Sequence, residues 1–161
     1  MESGDVGMSS EDSDLEGLTI LGKKAKPSKN LEAFPNRAPG RYYLVTLETN
    51  EFTCLCPVTG QPDFAALRIQ YVPDEKIVES KSFKLYLWSY RDEGVFHEHV
   101  VNQILEDLLA TLDPHWCKVT GVFNIRGGIS ITVEAEHTRT HQARDQWQSS
   151  FPSSTTDPHS Y

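Results

Sequence analysis

The sequence has little of what marks several protein classes. It has three cysteines in 161 residues, and an odd number argues against a secreted disulfide framework. No apolar run approaches the ~20 residues of a membrane span, and the acidic N-terminal segment lacks the basic and apolar regions of a signal peptide. Lysine and arginine are outnumbered by acids, 15 to 23, which argues against binding a phosphate backbone. These absences predict a cytoplasmic protein with reduced thiols and no membrane or direct nucleic-acid partner.

Composition divides the chain into one domain and two tails. Residues 1–28 are rich in Gly, Ser, Asp and Glu and then become basic before Pro27. Such a segment buries too little apolar surface to offset its ordering entropy, so we expect a disordered tail. We expect the same of residues 138–161. The predicted domain covers residues 29–137, which is long enough for a hydrophobic core.

Hydrophobic periodicity within this domain predicts both strands and helices. Four segments are rich in β-branched residues or alternate between apolar and polar residues, which predicts strands at 40–49, 66–72, 116–125 and 128–136. The last two are joined at Arg126-Gly127, as in a hairpin. The stretch before Asp113-Pro114 has apolar residues at i, i+3 and i+4 spacing, which is typical of an amphipathic helix with Glu98 in its first turn.

Residues 80–93 fit either a helix or a strand. Ser80 as an N-cap and Gly94 as a stop favour the helix. The predicted order is then β-β-α-α-β-β, an α+β fold with an antiparallel sheet and two helices on one face. Unpaired sheet edges in such a fold favour oligomerisation.

The segment EFTCLCPVTGQPDF, residues 51–64, is the most informative chemically. Cys54 and Cys56 with His97 and His99 offer zinc ligands, although a C-x-C spacing is less usual than C-x₂-C. Buried cysteines also serve as small core residues. A cysteine nucleophile is the third interpretation, because a loop stiffened by two prolines brings Asp63 back towards the sulfur. The residues alone leave these alternatives open.

Longer motifs carry a resemblance to a known family. The segment 51–64, together with VESKSFKLYLWSY (78–90), FHEH (96–99) and RGGISI (126–131), closely resembles the 7-cyano-7-deazaguanine reductases of queuosine biosynthesis, in their short single-module form. The resemblance implies the tunnelling fold, whose element order agrees with the one predicted above. It also implies ring or barrel homo-oligomers, pentamers or decamers, and a small-molecule substrate that is reduced with NADPH.

The resemblance also implies roles for individual residues. Cys56 matches the nucleophile that forms a covalent thioimide with the nitrile, Asp63 matches the proton donor, and His97 is a second candidate for proton transfer. The expected substrate contacts are Val78, Glu79, Ser80, Phe96, His97 and Glu98, and the expected cofactor contacts are Ser80, Lys81, Lys84, Arg126 and Gly127, with no metal.

Two other functions are compatible with the same motifs. One is a zinc-dependent GTP cyclohydrolase, which shares the tunnelling fold and also uses cysteine and histidine. The other is a non-catalytic binder of purine analogues, which would bind the nitrile without forming a bond to Cys56.

Overall fold

A computed structural model describes residues 25–139 of the chain. Most of the tails predicted at 1–28 and 138–161 fall outside the described residues, so the domain boundaries stay predictions. The described part contains six strands and two helices. They are β1 (Ala33–Pro35), β2 (Val45–Leu55), β3 (Pro62–Val72), β4 (Lys76–Val78), α1 (Ser80–Trp88), α2 (His97–Leu112), β5 (Trp116–Arg126) and β6 (Ile129–Thr138).

Four of the strands form one antiparallel sheet in the order β2-β3-β5-β6. With the two helices between β3 and β5, this sheet confirms the predicted β-β-α-α-β-β order and the α+β class. The strands β1 and β4 form a separate two-stranded antiparallel sheet that the sequence did not predict. Strands of three residues are too short to show a recognisable alternation.

The strands β2 and β3 extend beyond the predicted segments 40–49 and 66–72 into the loop that joins them. They continue to Leu55 and begin at Pro62, while β2 starts later than predicted. A bulge after Thr49 shifts the register of β2 and interrupts its alternation, which explains the wrong boundary. As a result, Cys54 lies within β2, beyond the end of the predicted strand.

The core lies between the helices and one face of the sheet. Both helices contribute to a single buried cluster with this face, as predicted. Burying each such large apolar side chain contributes about 1.5–3 kcal/mol. The helix α2 packs tightly on β5 at Gly121, because a Cβ there would lie 2.9 Å from Cγ2 of Val101. From the sheet, the cluster includes Phe52, Cys54, Ala65, Leu67, Ile69, Tyr71, Cys117, Val119, Phe123 and Ala135.

The segment 80–93 is helical, but its ends differ from those predicted. Glu79, not Ser80, is the N-cap residue of α1, since its carboxylate accepts hydrogen bonds from the backbone N–H groups of Lys81 and Ser82. The Glu79 side chain is longer than that of serine, and it reaches the unpaired backbone N–H groups of the first helical turn, which a serine N-cap usually binds. The helix ends at Trp88 instead of continuing towards Gly94.

The second helix and the last hairpin follow the sequence closely. Five of the six side chains of the predicted stripe are buried in α2, whereas Leu109 is half-buried and Val100 is buried in addition. Asp113 ends the helix in the left-handed conformation with φ 44°. The two residues of the β5–β6 turn are Gly127 and Gly128, with φ 59° and 77°. The predicted hairpin is therefore present, one residue further along than expected, since this two-residue turn requires positive φ at both positions.

Candidate active site

The loop between β2 and β3 holds Cys56 at its first position. The backbone N–H of Cys56 donates to the carbonyl of Gln61 at 2.8 Å, and the N–H of Gly60 donates back to the carbonyl of Cys56 at 2.9 Å. Gly60 has φ 69°, a conformation that glycine adopts without strain. The loop is thus a closed turn that presents a half-buried thiol at the end of β2.

The same end of β2 also fixes the start of α2. Leu55 forms a parallel bridge with Gly94, through hydrogen bonds from Leu55 N–H to the Glu93 carbonyl (2.9 Å) and from Val95 N–H to the Leu55 carbonyl (3.0 Å). A Cβ on Gly94 would lie 3.2 Å from Cα of Pro57. This contact brings the first residues of α2 next to the Cys56 loop.

Asp63 lies on the inner face of the sheet directly opposite Cys54. It is 6% exposed, and both of its carboxylate oxygens have charged or ionisable partners. Oδ2 lies 3.2 Å from Nε2 of His97, and Oδ1 accepts a hydrogen bond from Nη1 of Arg126. Burying a carboxylate without such partners would be costly.

Arg126 is the last residue of β5, and its side chain reaches Asp63, which lies 63 positions earlier in the sequence. The register between β5 and β6 shifts after Phe123, a bulge of the kind that redirects a side chain. The other guanidinium nitrogen, Nη2, lies 2.7 Å from Oε1 of Gln61 and 3.3 Å from Oγ1 of Thr59. The guanidinium therefore connects β5 to the C-terminal half of the Cys56 loop and to the start of β3.

The three cysteines differ strongly in acidity. Hydrogen bonds from the Thr59 hydroxyl and from the backbone of Thr59 and Val58, with the charge of Arg126, lower the pKa of Cys56 to about 7. Burial raises the pKa of Cys54 to about 11, with the Asp63 charge adding to the effect. Burial also raises the pKa of Cys117 to about 12. Only Cys56 of the three is an accessible thiolate near neutral pH.

The N-terminal turn of α2 carries the other predicted residues of this site. The ring of His97 stacks on Phe123 with centroids 3.8 Å apart, which fixes the orientation that its contact with Asp63 requires. Glu98 is exposed, and its carboxylate makes no hydrogen bond or ion pair to any other residue between 25 and 139. Phe96 is 49% exposed and lies edge-on to His99. An unengaged carboxylate beside an exposed ring is suited to binding a planar, hydrogen-bonding ligand.

The segment 78–80 lies at the other end of α1 from this site. The C-terminal side of α1 leads to Glu93, which contacts Leu55, whereas the helix begins at Ser80 and its nine residues rise about 13 Å. Val78 is buried and its backbone N–H donates to the hydroxyl of Tyr71. The backbone donors of α1 also lower the pKa of Glu79. The structure thus does not bring this expected substrate segment to Cys56 within one chain.

Two of the expected cofactor contacts border a groove between α1 and β2. Ser80 and Lys84 line it, and its volume is about 790 Å³. Its walls are mainly apolar, and the charged residues that line it are two cations, Lys84 and Arg91, and two carboxylates, Glu48 and Glu51. Lys81 belongs to the same helical turn, whereas Arg126 and Gly127 lie at the end of β5 and beyond it. The expected cofactor residues therefore fall into two separate groups.

Thr59 and Gln61 are functional candidates that the sequence analysis missed. Both sit between the two prolines of the loop, and both contact Arg126. Polar residues in a constrained loop beside a nucleophile were the only available signal, and it does not predict which distant residue they contact.

No group of three or more His, Cys, Asp or Glu side chains in the described part of the chain is arranged to hold a metal ion. No helix within residues 25–139 is long and apolar enough to cross a membrane.

Comparisons with known proteins agree on one family. The family model described as QueF-like protein matches residues 62–142. A protein of Syntrophus aciditrophicus named NADPH-dependent 7-cyano-7-deazaguanine reductase is 69% identical over 124 residues, covering 77% of this chain and 89% of the relative. Relatives of the same name from Anaeromyxobacter dehalogenans and Thioalkalivibrio sulfidiphilus are 57% and 52% identical, covering 70% and 80% of this chain and 92% and 95% of the relatives.

A solved structure is similar as well. The apo form of the archaeosine synthase QueF-Like has a TM-score of 0.54 and 29% sequence identity, covering 58% of this chain and 91% of that one.

Proposed function

The chain belongs to the family of QueF-like proteins, and from that premise we propose a mechanism in which Cys56 attacks the substrate while Asp63 and His97 transfer the proton. The chain is an NADPH-dependent oxidoreductase that reduces the nitrile of 7-cyano-7-deazaguanine, and the product expected for a fully reduced nitrile is the aminomethyl compound. The names of the relatives do not favour the cyclohydrolase alternative.

The nucleophile of the mechanism is the Cys56 thiolate. The pKa of Cys56 is lowered to about 7, so a large fraction of the thiol is ionised at neutral pH. A much lower pKa would make the thiolate a weaker nucleophile. The sulfur bonds to the nitrile carbon, one π bond of the C≡N group opens, and the nitrogen takes a proton. The resulting thioimide carbon is a better hydride acceptor than the nitrile.

The Asp63 carboxylate, which is paired with Arg126 and His97, takes a proton from His97 and passes it to the nitrogen. The Asp63 carboxyl is buried beside the loop that carries Cys56, whereas His97, with 15% of its side chain exposed, reaches outward from it at 3.2 Å. A proton can therefore pass from solvent to a buried donor through one ring. The N-terminal end of the α2 dipole favours the negative charge that Asp63 bears after donation.

Glu98 and Phe96 bind the purine-like ring. The free Glu98 carboxylate can accept two parallel hydrogen bonds from the ring N–H and the exocyclic amine of a deazaguanine, a pattern that an adenine analogue lacks. Phe96 offers an exposed aromatic face beside it. This pair accounts for recognition of the base.

A second copy of the chain contributes Val78, Glu79 and Ser80. These residues start α1 about a helix length away from the Cys56 loop, so one chain alone leaves the expected contacts incomplete. The strands β2 and β6 are at the two edges of the four-stranded sheet and can pair with neighbouring copies. A ring of five copies, or two such rings, satisfies both requirements.

The groove along β2 is the proposed cofactor site. Its 790 Å³ and mainly apolar walls suit a dinucleotide, and Lys84 with the adjacent Lys81 offers positive charge for phosphates. When bound, NADPH supplies the hydrides. The chain's own contribution there is to orient the bound nucleotide and to keep water from the thioimide.

The cytoplasm is the proposed location. A thiolate nucleophile requires a reducing compartment, and the three cysteines of the described residues are all unpaired. The net charge of −8 also supports a small-molecule substrate without direct contact to nucleic acid.

The convergence of Cys56, Asp63 and His97 carries the proposal. We expect NADPH oxidation only when 7-cyano-7-deazaguanine is present, with two NADPH consumed per nitrile because conversion of a nitrile to an amine needs two hydrides. Cys56→Ala should stop the reaction, and Cys54→Ala should not. Turnover by the Cys56→Ala variant would refute the mechanism.

A further inference from the structure

Both terminal nitrogens of the Arg126 guanidinium contact the loop that the side chain crosses. One guanidinium nitrogen bonds to the buried carboxylate of Asp63, and the other lies within hydrogen-bond distance of Gln61 and Thr59. All three partners belong to one eight-residue stretch that begins at Cys56. A planar fork with fixed donors can span such a set of acceptors, which a lysine cannot do.

The same cation acts on both chemical groups of the site. Its ion pair with Asp63 raises the pKa of Arg126, so the charge is permanent. The positive charge also helps to lower the pKa of Cys56, although the hydrogen bonds of Thr59 contribute more. Thr59 in turn is a partner of Arg126 through its Oγ1. Arg126 thus contacts the Asp63 carboxylate and Thr59 and also interacts directly with the Cys56 thiol.

We propose that Arg126 is a positioning residue that sets the distance and orientation between the Cys56 nucleophile and the Asp63 proton donor. This inference rests on the proposed covalent mechanism and deepens it. The family resemblance also suggests that Arg126 binds a phosphate of the cofactor. That role is compatible with positioning, because 39% of the Arg126 side chain is exposed and a guanidinium has five donors.

Other cations are better placed for the phosphate. Lys81 and Lys84 lie on α1, where Lys84 lines the 790 Å³ groove. Neither ammonium group forms an ion pair with any residue of the described segment 25–139. Binding a phosphate there breaks no existing contact. Cofactor binding by the α1 lysines can therefore be separated by experiment from the positioning role of Arg126.

Adduct formation without NADPH tests this separation, because that half-reaction needs no cofactor. The rate at which 7-cyano-7-deazaguanine adds to the protein is followed by intact mass for wild type, Arg126→Ala and Arg126→Lys. The matched control is Arg139→Ala, since Arg139 makes a comparable fork to Asp74 and Asp113 at the opposite end of the sheet. The pH dependence of Cys56 alkylation by iodoacetamide is measured on the same proteins.

We expect Arg126→Ala and Arg126→Lys to slow adduct formation by about 10²-fold, because misplacing a reacting group by about 1 Å costs that much. The Lys variant keeps the charge, so its alkylation midpoint should stay near that of wild type while the adduct rate still falls. Arg139→Ala should react at the wild-type rate even though it loses stability.

The opposite results are equally clear. If both Arg126 variants form the adduct at the wild-type rate while their KM for NADPH rises, Arg126 serves the cofactor and the positioning role is wrong. If wild type itself forms no adduct, the covalent mechanism fails instead. Should Arg126→Ala not fold, Gln61→Ala removes one partner of the fork without changing charge, and an unchanged adduct rate in that variant would also overturn the proposal.

Discussion

Nε2 of His97 and Oδ2 of Asp63 lie 3.2 Å apart, although 34 positions separate the two residues in the sequence. Strand pairing sets Asp63 on the inner face of the sheet, and the Leu55–Gly94 bridge sets the start of α2 beside it. Stacking on Phe123 then holds the imidazole at the required angle. The contact is thus the product of three independent tertiary interactions.

Asp63→Asn should slow turnover by about 10²-fold or more, because the amide is nearly the same size but cannot give up a proton to the nitrile nitrogen. The rate is measured as NADPH oxidation at saturating nitrile. Asp74→Asn is the matched control, since Asp74 also contacts a histidine and an arginine, His115 and Arg139. It should lose stability and keep activity. Equal activity in both variants would remove Asp63 from the chemistry.

Alkylation of Cys56 should follow a single ionisation near pH 7. The thiolate is the reactive form, so the rate falls about tenfold per pH unit below the midpoint and levels off above it. Cys54 and Cys117, with pKa values of about 11 and 12, should stay unmodified at neutral pH. The measurement is the mass increase after iodoacetamide treatment across a pH series, with peptide mapping.

Thr59→Val should move that midpoint to higher pH, because the hydroxyl donates the hydrogen bond that contributes most to lowering the pKa of Cys56. Thr46→Val, on the exposed face of β2, is the control and should leave the profile unchanged. A midpoint that does not move in Thr59→Val would show that the thiolate is stabilised by other groups.

Gly94→Ala should disturb the site through packing alone. The added methyl group would lie 3.2 Å from Cα of Pro57, which is backbone and can move only if the Cys56 loop moves. We expect a loss of about 1–3 kcal/mol in the free energy of unfolding together with a reduced adduct rate. Gly40→Ala is the control, because nothing lies within 4 Å of its Cβ position. Equal adduct rates in both variants would contradict a coupling between Gly94 and the loop.

The two glutamates expected to contact substrate should respond differently to substitution. Glu79→Ala removes the N-cap of α1 and should lower the free energy of unfolding, measured by urea denaturation. Glu98→Gln should leave stability nearly unchanged and weaken nitrile binding by about 10- to 100-fold, since one charged acceptor is lost. Unchanged stability in Glu79→Ala would show that Glu79 is not a stabilising cap. Unchanged nitrile affinity in Glu98→Gln would show that Glu98 does not bind the ring.

The sequence predicted the elements that depend on local periodicity and turn chemistry. The stripe of α2 and the alternation of Leu67, Ile69 and Tyr71 all describe buried faces. The family motifs predict Cys56, Asp63 and His97 as site residues, and the structure places Asp63 and His97 in contact beside the Cys56 loop.

What could not be predicted depends on register and on contacts between distant segments. The bulge in β2 that carries Cys54 into the core leaves no periodic signal, and neither does the bulge in β5 that turns Arg126 towards Asp63. The capping role of Glu79 cannot be recognised until the positions of the first backbone N–H groups of α1 are known. Each of these residues looks like an ordinary polar or small residue until its tertiary partner is known.

The central claim is that the sulfur of Cys56 bonds to the nitrile carbon, and intact-protein mass spectrometry tests it most directly. After 7-cyano-7-deazaguanine is added without NADPH, the mass should increase by the mass of one nitrile molecule, and fragmentation should locate the increase on Cys56. Cys54→Ala should give the same increase. An unchanged wild-type mass under conditions where the protein binds the nitrile, or an increase that persists in Cys56→Ala, would contradict the account.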